Sequence, residues 1–115
     1  NQENYDEQKS WQKGSYALRR LYHESKKPLL VIYTSPNCGP CHILKPQLKN
    51  VLEEFKGLAQ AVEIDIEIEE EIAKQAGING TPTVQIFKNK LLKKQFKGFQ
   101  QKSLFRESLK ELTTD

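Results

Sequence analysis

Short runs dense in apolar residues alternate along the chain with longer stretches in which apolar residues recur at helical spacing. Leu29 to Thr34 is an unbroken, largely apolar stretch of strand length. A run without polar alternation reads as a buried central strand. Upstream, Leu18, Leu21 and Tyr22 give an apolar stripe to a helix that Ser15 can cap, that runs to about Lys26 and that Pro28 stops. Downstream, Leu44, Leu48, Val51, Leu52 and Phe55 predict a helix from Cys38 to about Lys56, ended by Gly57 and kinked near Pro46. Val62, Ile64 and Ile66 alternate with Glu63, Asp65 and Glu67, the pattern of a strand with one wet face. Glu69 to Ala76 reads as a short helix with acids in its first turn and Gly77 as its stop. Gly80-Thr81-Pro82 is a turn. Thr83 to Lys88 and Leu91 to Lys97 then form a hairpin about Asn89. Gln101 to Leu112 is a last helix with Leu104, Phe105, Leu109 and Leu112 on one side. The order α-β-α-β-α-β-β-α gives a crossover unit of two parallel strands plus an antiparallel hairpin. The expected architecture is α/β, a central mixed sheet of about four strands with helices on both faces.

Composition narrows this picture. The 115 residues suit one domain, and 37% apolar content is enough for one modest core. The longest strongly apolar run, Leu29 to Tyr33, is far too short to span a membrane, and no signal-peptide pattern stands at the start. Asn1 to Gly14 is mostly polar, with Tyr5 and Trp11 as its large apolar groups, so residues 1–14 are expected to be a linker or arm and 15–115 the folded domain. The chain contains no methionine, which points to a piece excised from a longer protein or to a processed product. Its formal net charge is +3. Lys88, Lys90, Lys93, Lys94 and Lys97 crowd one stretch, and acids from Glu63 to Glu71 crowd another. The plain reading is two solvated faces, with edge-strand lysines resisting aggregation. The sharper one is a charged rim that selects a partner. No nucleic-acid motif accompanies the lysines.

The chemistry resides in Cys38-Gly39-Pro40-Cys41, which holds both cysteines of the chain. A C-x-x-C between a strand and a helix reads as a dithiol redox site. Two intervening residues at a helix start let both sulfurs come within bonding range. The first cysteine then meets the unpaired N–H groups and positive dipole end that favour a thiolate. Gly39 allows a close turn, and Pro40 fits the first helical turn. A rival is an inert stapling disulfide, disfavoured because so small a ring removes little chain entropy. With His42 the motif also matches the C-x-x-C-H haem-attachment pattern. Against that, there is no methionine for a second axial ligand, and His23 is the only other histidine. A zinc site from two cysteines and two histidines lacks finger spacing. His42 is expected on the exposed side of its helix, close enough to tune Cys38 electrostatically.

Cys38-Gly39-Pro40-Cys41, Pro46 inside the following helix, Gly80-Thr81-Pro82 and Gly98 after the last strand together resemble the thioredoxin family, over about Ser15 to Leu112. The resemblance implies a thioredoxin fold and thiol–disulfide exchange, with Cys38 as nucleophile and Cys41 as resolving cysteine. It also implies support from Gly39, Pro40 and a cis Pro82, and target contacts at Asn37, Thr81 and Gly98. Tyr16 to Ser25, Tyr33 to Cys41 and Val62 to Glu67 look like one branch, the thioredoxin domain fused behind an NADPH-thioredoxin reductase (NTRC) of chloroplasts and cyanobacteria. That branch implies an upstream reductase domain carrying FAD and NADPH, 2-Cys peroxiredoxin among the targets, and a cyanobacterial cytoplasmic or chloroplast stromal location. This chain has no glycine-rich dinucleotide fingerprint of its own and is expected to bind no cofactor or metal. Three departures from ordinary thioredoxin stand out. Asn37 replaces the usual Trp, Ile32 replaces the usual buried Asp, and the usual first strand has no clear counterpart. Glu63 and Asp65, on the wetter face, are not expected to reach Cys41, which leaves water or the departing thiolate to take its proton. Two alternatives stay open: a free-standing processed thioredoxin, and a docking module whose redox activity is secondary.

Overall fold

The computed structural model describes residues 11–114; the first ten residues of the expected arm lie outside these. The elements are β1 (Trp11–Lys13), α1 (Ser15–His23), β2 (Leu29–Thr34), α2 (Gly39–Glu54), β3 (Gln60–Asp65), α3 (Glu70–Gln75), β4 (Thr83–Lys88), β5 (Leu91–Lys97) and α4 (Lys102–Thr113). The sheet order is β1-β3-β2-β4-β5. β1 and β2 both pair parallel to β3, while β2·β4 and β4·β5 are antiparallel.

β2 forms the middle of the sheet because all six of its side chains are apolar or satisfied, and all six are buried. Its alternate residues feed two cores. On one face Leu30 and Ile32 meet Leu44, Leu48 and Val51 of α2 and Phe105 and Leu109 of α4. On the other, Val31 and Tyr33 meet Ala17 and Leu21 of α1, with Val62 and Ile64 of β3. Each large apolar side chain so buried contributes about 1.5–3 kcal/mol. The β4–β5 hairpin turns through Asn89 (φ 54°) and Lys90 (φ 68°). Two successive left-handed residues make the tight turn whose twist matches that of the strands. The N–H groups of Asn89 and Lys90 donate to the carbonyl and hydroxyl of Ser25, tying the hairpin to the loop before β2.

The sheet has five strands, not about four. The added strand, β1, lies three residues along the edge of β3, too short to show alternation in sequence. Trp11 packs against the α2 side of the core, with the Lys49 ammonium 5.3 Å from its ring centroid. Ser15 does not cap α1. Gly14, at φ 93°, holds the N-cap position, and the Ser15 N–H donates to Glu69 Oε2. The helix ends at His23, before Lys26. On α4, Leu104 is exposed, and Ser108 takes the buried place by donating its hydroxyl to the Leu104 carbonyl. The expected wet face of β3 is dry where it matters: Ala61 and Glu63 are buried, and the wet end begins at Asp65. β3 gains β1 on one edge and β2 on the other, and α2 lies over the Glu63 side. No helix among the described residues is long and apolar enough to cross a membrane.

Candidate active site

Three chain segments converge at the carboxyl end of β2. The first is the turn out of that strand, Ser35 to Asn37, which delivers Cys38 to the start of α2. Cys38 occupies the N-cap position in an extended conformation (φ −98°, ψ 101°), and its sulfur accepts from the Cys41 N–H at 3.2 Å. An orphan helical N–H aimed at this sulfur, with the helix dipole behind it, stabilises a thiolate there. Gly39 and Pro40 fill the first turn, where Pro40 sacrifices no helical hydrogen bond. Cys38 and Cys41 are joined as a disulfide with Cα atoms 5.3 Å apart. Burial of the two cysteines is unequal: Cys38 is 7% exposed and Cys41 1%. Asn37, Gly39 and Pro40 around them face solvent.

The second segment is the loop before β4. Its Thr81–Pro82 bond is cis, and the Thr81 hydroxyl lies 3.3 Å from the Ser35 hydroxyl. The Cys38 N–H donates to the Ser35 carbonyl at 3.3 Å, so Ser35 links the cysteine turn to the proline loop. The third segment is the exit from β5, where the Gly98 N–H donates to the Pro82 carbonyl at 2.8 Å. Gly98 adopts φ 81°, a conformation that favours glycine. Thr81, Pro82 and Gly98 line a cleft of about 300 Å³ with Ile78, Gln95 and Lys97. The fold thus joins Cys38, Cys41, Thr81, Pro82 and Gly98 through one chain of contacts, with Asn37 exposed at its rim. His42 is exposed, with Nε2 3.3 Å from the Pro36 carbonyl. Among the described residues no group of three His, Cys, Asp or Glu side chains is placed to hold a metal.

Glu63 is the residue that alternation misplaced. It is 7% exposed. Its Oε2 accepts from the Thr34 hydroxyl at 3.0 Å and from the Lys45 ammonium at 2.9 Å. Burial pushes the Glu63 carboxyl up, but the hydrogen bonds from Lys45 and Thr34, with the Lys45 and Lys13 charges, prevail and hold it below the ordinary carboxylate value. A sequence signal existed: β3 follows a crossover, and a parallel strand of that kind is covered on both faces. On the opposite face Tyr33 donates to Gln85 Oε1 at 3.0 Å, and burial pushes its phenol up to about 12, so it stays neutral and structural.

The thioredoxin family model matches residues 12–111. NADPH-dependent thioredoxin reductase 3 of Arabidopsis thaliana is 52% identical over 106 residues, which is 92% of this chain and 20% of that protein. The chain therefore spans about a fifth of the length of that relative. A thioredoxin of Rickettsia felis is 35% identical over 80 residues, covering 70% of this chain and 76% of its own. Among solved structures, a mutant thioredoxin from Halobacterium salinarum superposes with a TM-score of 0.81 at 21% identity, covering 91% of this chain and 90% of that one. Chloroplastic thioredoxin z gives 0.77 at 25% identity, over 90% and 94% of the two chains.

Proposed function

The chain belongs to the thioredoxin family, and on that footing we propose that it is a protein-disulfide reductase working through Cys38 and Cys41. The observation that carries this reading is the cysteine pair at the start of α2, Cys38 the less buried of the two and Cys41 the more, in the chain of contacts that runs through Ser35 to the Pro82 loop. Cys38, as thiolate, attacks a target disulfide. One target sulfur leaves as a thiolate, and the other stays bonded to Cys38. Cys41 then attacks Cys38, the Cys38–Cys41 bond forms, and the second target sulfur is released. Two electrons pass from the dithiol to the target. An extended target segment pairs along Thr81 as an added strand, with Asn37 and Gly98 at the edges of the contact. Asn37 in place of a large aromatic narrows the apolar contact and favours a restricted set of targets.

The 52% identity to the Arabidopsis reductase supports the finer reading. In that reading electrons reach this domain from a reductase domain upstream in the same protein, which holds FAD and NADPH. 2-Cys peroxiredoxin is a principal target, and the protein works in a chloroplast stroma or cyanobacterial cytoplasm. In the same reading those cofactors sit on the upstream domain; this chain's own strand-to-helix turn, Ser35 to Asn37, lacks the glycines a pyrophosphate needs. Two tests address the two levels. With a small dithiol as electron source, the chain reduces insulin and Cys38→Ser does not; full activity in Cys38→Ser overturns the exchange scheme. The full-length transcript encodes a flavoprotein reductase ahead of this segment; a transcript encoding this domain alone overturns the fusion.

A further inference from the structure

Resolution requires the Cys41 thiol to lose a proton, yet Cys41 is 1% exposed and lies behind Cys38. Bulk water has no direct approach to it. Among the described residues Glu63 is the one buried carboxylate, and three observations tie it to Cys41. First, Lys45 lies four residues beyond Cys41 on α2, so the two share a helix face with Cβ atoms roughly 5–6 Å apart, and the Lys45 ammonium is held at 2.9 Å by Glu63 Oε2. Second, the same oxygen accepts from Thr34, the last residue of β2 before the turn that carries Cys38. Third, β3 pairs with β2 so that Glu63 stands beside Ile32, on the face that α2 covers. The carboxylate is thereby tethered to α2 one turn beyond the resolving cysteine and to the end of β2 that leads to Cys38.

Its other oxygen is unusual. Oε1 of Glu63 is buried and has no hydrogen-bond partner among the described residues. A buried polar atom left so costs about 1–3 kcal/mol, and an apolar residue here would avoid that cost. Glu63 also lines a cavity of about 180 Å³ shared with Lys13, Gly14, Asp65, Ile68 and Glu69. Lys13, Asp65 and Glu69 bring charged groups to its lining, and its volume exceeds the roughly 30 Å³ share of a liquid water several-fold. The charged groups facing the carboxylate are Lys45 from α2, Lys13 from β1, Asp65 farther along β3, and Glu69 at the start of α3.

We propose that Glu63 is the proton relay for Cys41: it takes the thiol proton through a bridging water and passes it to solvent by way of this cavity. In the resolving step the Cys41 S–H bond breaks and the proton goes to the Glu63 carboxylate. The Cys41 thiolate forms its bond to Cys38, and the electron pair of the Cys38–target bond leaves on the target sulfur. Lys45 and Thr34 act as positioning residues that hold one carboxylate oxygen and leave the other to carry the proton.

The inference rests on the exchange reading above, and one experiment separates the two. Reduced protein is mixed in a stopped-flow instrument with an aromatic disulfide that releases one coloured thiol on attack by Cys38 and a second on resolution by Cys41. Absence of the first phase in wild type contradicts the exchange reading itself. In Glu63→Gln the first phase keeps its wild-type rate, while the second slows at least about tenfold at pH 7 and recovers toward wild type by pH 9, where hydroxide takes the proton. An unchanged second phase, equal slowing of both phases, or slowing that is the same at every pH overturns the relay. Wild-type protein supplies a second readout by carbon-13 titration of the Glu63 carboxyl. The relay predicts different titration curves in the dithiol and disulfide forms, because the carboxyl shares its proton with Cys41 only in the former. Identical curves overturn it, whether or not the glutamine variant folds.

Discussion

At the scale of single residues, the site rests on neighbours as much as on the two sulfurs. Lys45 and Thr34 hold the Glu63 carboxyl below its ordinary value of 4.5. Folding therefore favours the ionised form. The stabilisation is complete above the unfolded pKa and is lost as pH falls through the lower folded one. Glu63→Gln is accordingly less stable than wild type at pH 7, and the gap closes as pH drops below about 4. Urea melts at stepped pH check this, and a gap constant from neutral to acid contradicts it. The cysteine motif was legible because a C-x-x-C at a helix start has a local chemical reason, whereas Pro82 and Gly98 were singled out only by the resemblance to the thioredoxin family. Glu63 was not. Its environment is made by α2, β1 and β2 together, and alternation within one strand carries no information about what covers each face.

At the scale of elements, most boundaries were readable. β2, β4 and β5 have the bounds their apolar runs predict, and α2 begins directly after Cys38. These segments carry their own punctuation: an unbroken apolar run, a turn, a helical stripe. β1 carries none, since three residues on a sheet edge take their conformation from β3. Sequence also gave no hint that the β4–β5 turn is strained. Lys90 there adopts φ 68°, where a side chain costs roughly 1 kcal/mol that glycine avoids. Lys90→Gly completes an Asn-Gly turn and stabilises the protein by about 0.5–1 kcal/mol; a lower unfolding midpoint contradicts that. The docking of α4 depends on Phe105, fully buried and edge-to-face with Phe96 at 5.3 Å. Phe105→Ala costs about 3–5 kcal/mol in denaturant melts, whereas exposed Leu104→Ala costs under about 1 kcal/mol. Comparable losses at both positions contradict this packing.

At the scale of the whole molecule, two layers of helix enclose a mixed sheet and leave one rim where β2, β4 and β5 deliver the cysteine turn, the Pro82 loop and Gly98. Fold similarity persists at 21% identity, because the architecture needs only patterned apolar positions. The 52% identity to the Arabidopsis reductase adds a narrower kinship and frames the proposed electron path from an upstream flavin domain. The basic edge strand β5 is largely exposed, with Lys94 paired to Glu111, while Lys88 at the end of β4 donates to the Leu112 carbonyl. The account's central claim is the division of labour between the outer and inner sulfur. Trapping tests it most directly: reduced Cys41→Ser protein is mixed with a disulfide-bonded target and analysed by mass spectrometry without reductant. The account predicts a stable covalent adduct joined at Cys38, released by added dithiol and absent in Cys38→Ser. An adduct that forms through Cys41 in the Cys38→Ser protein, or none through Cys38 in the Cys41→Ser protein, contradicts it.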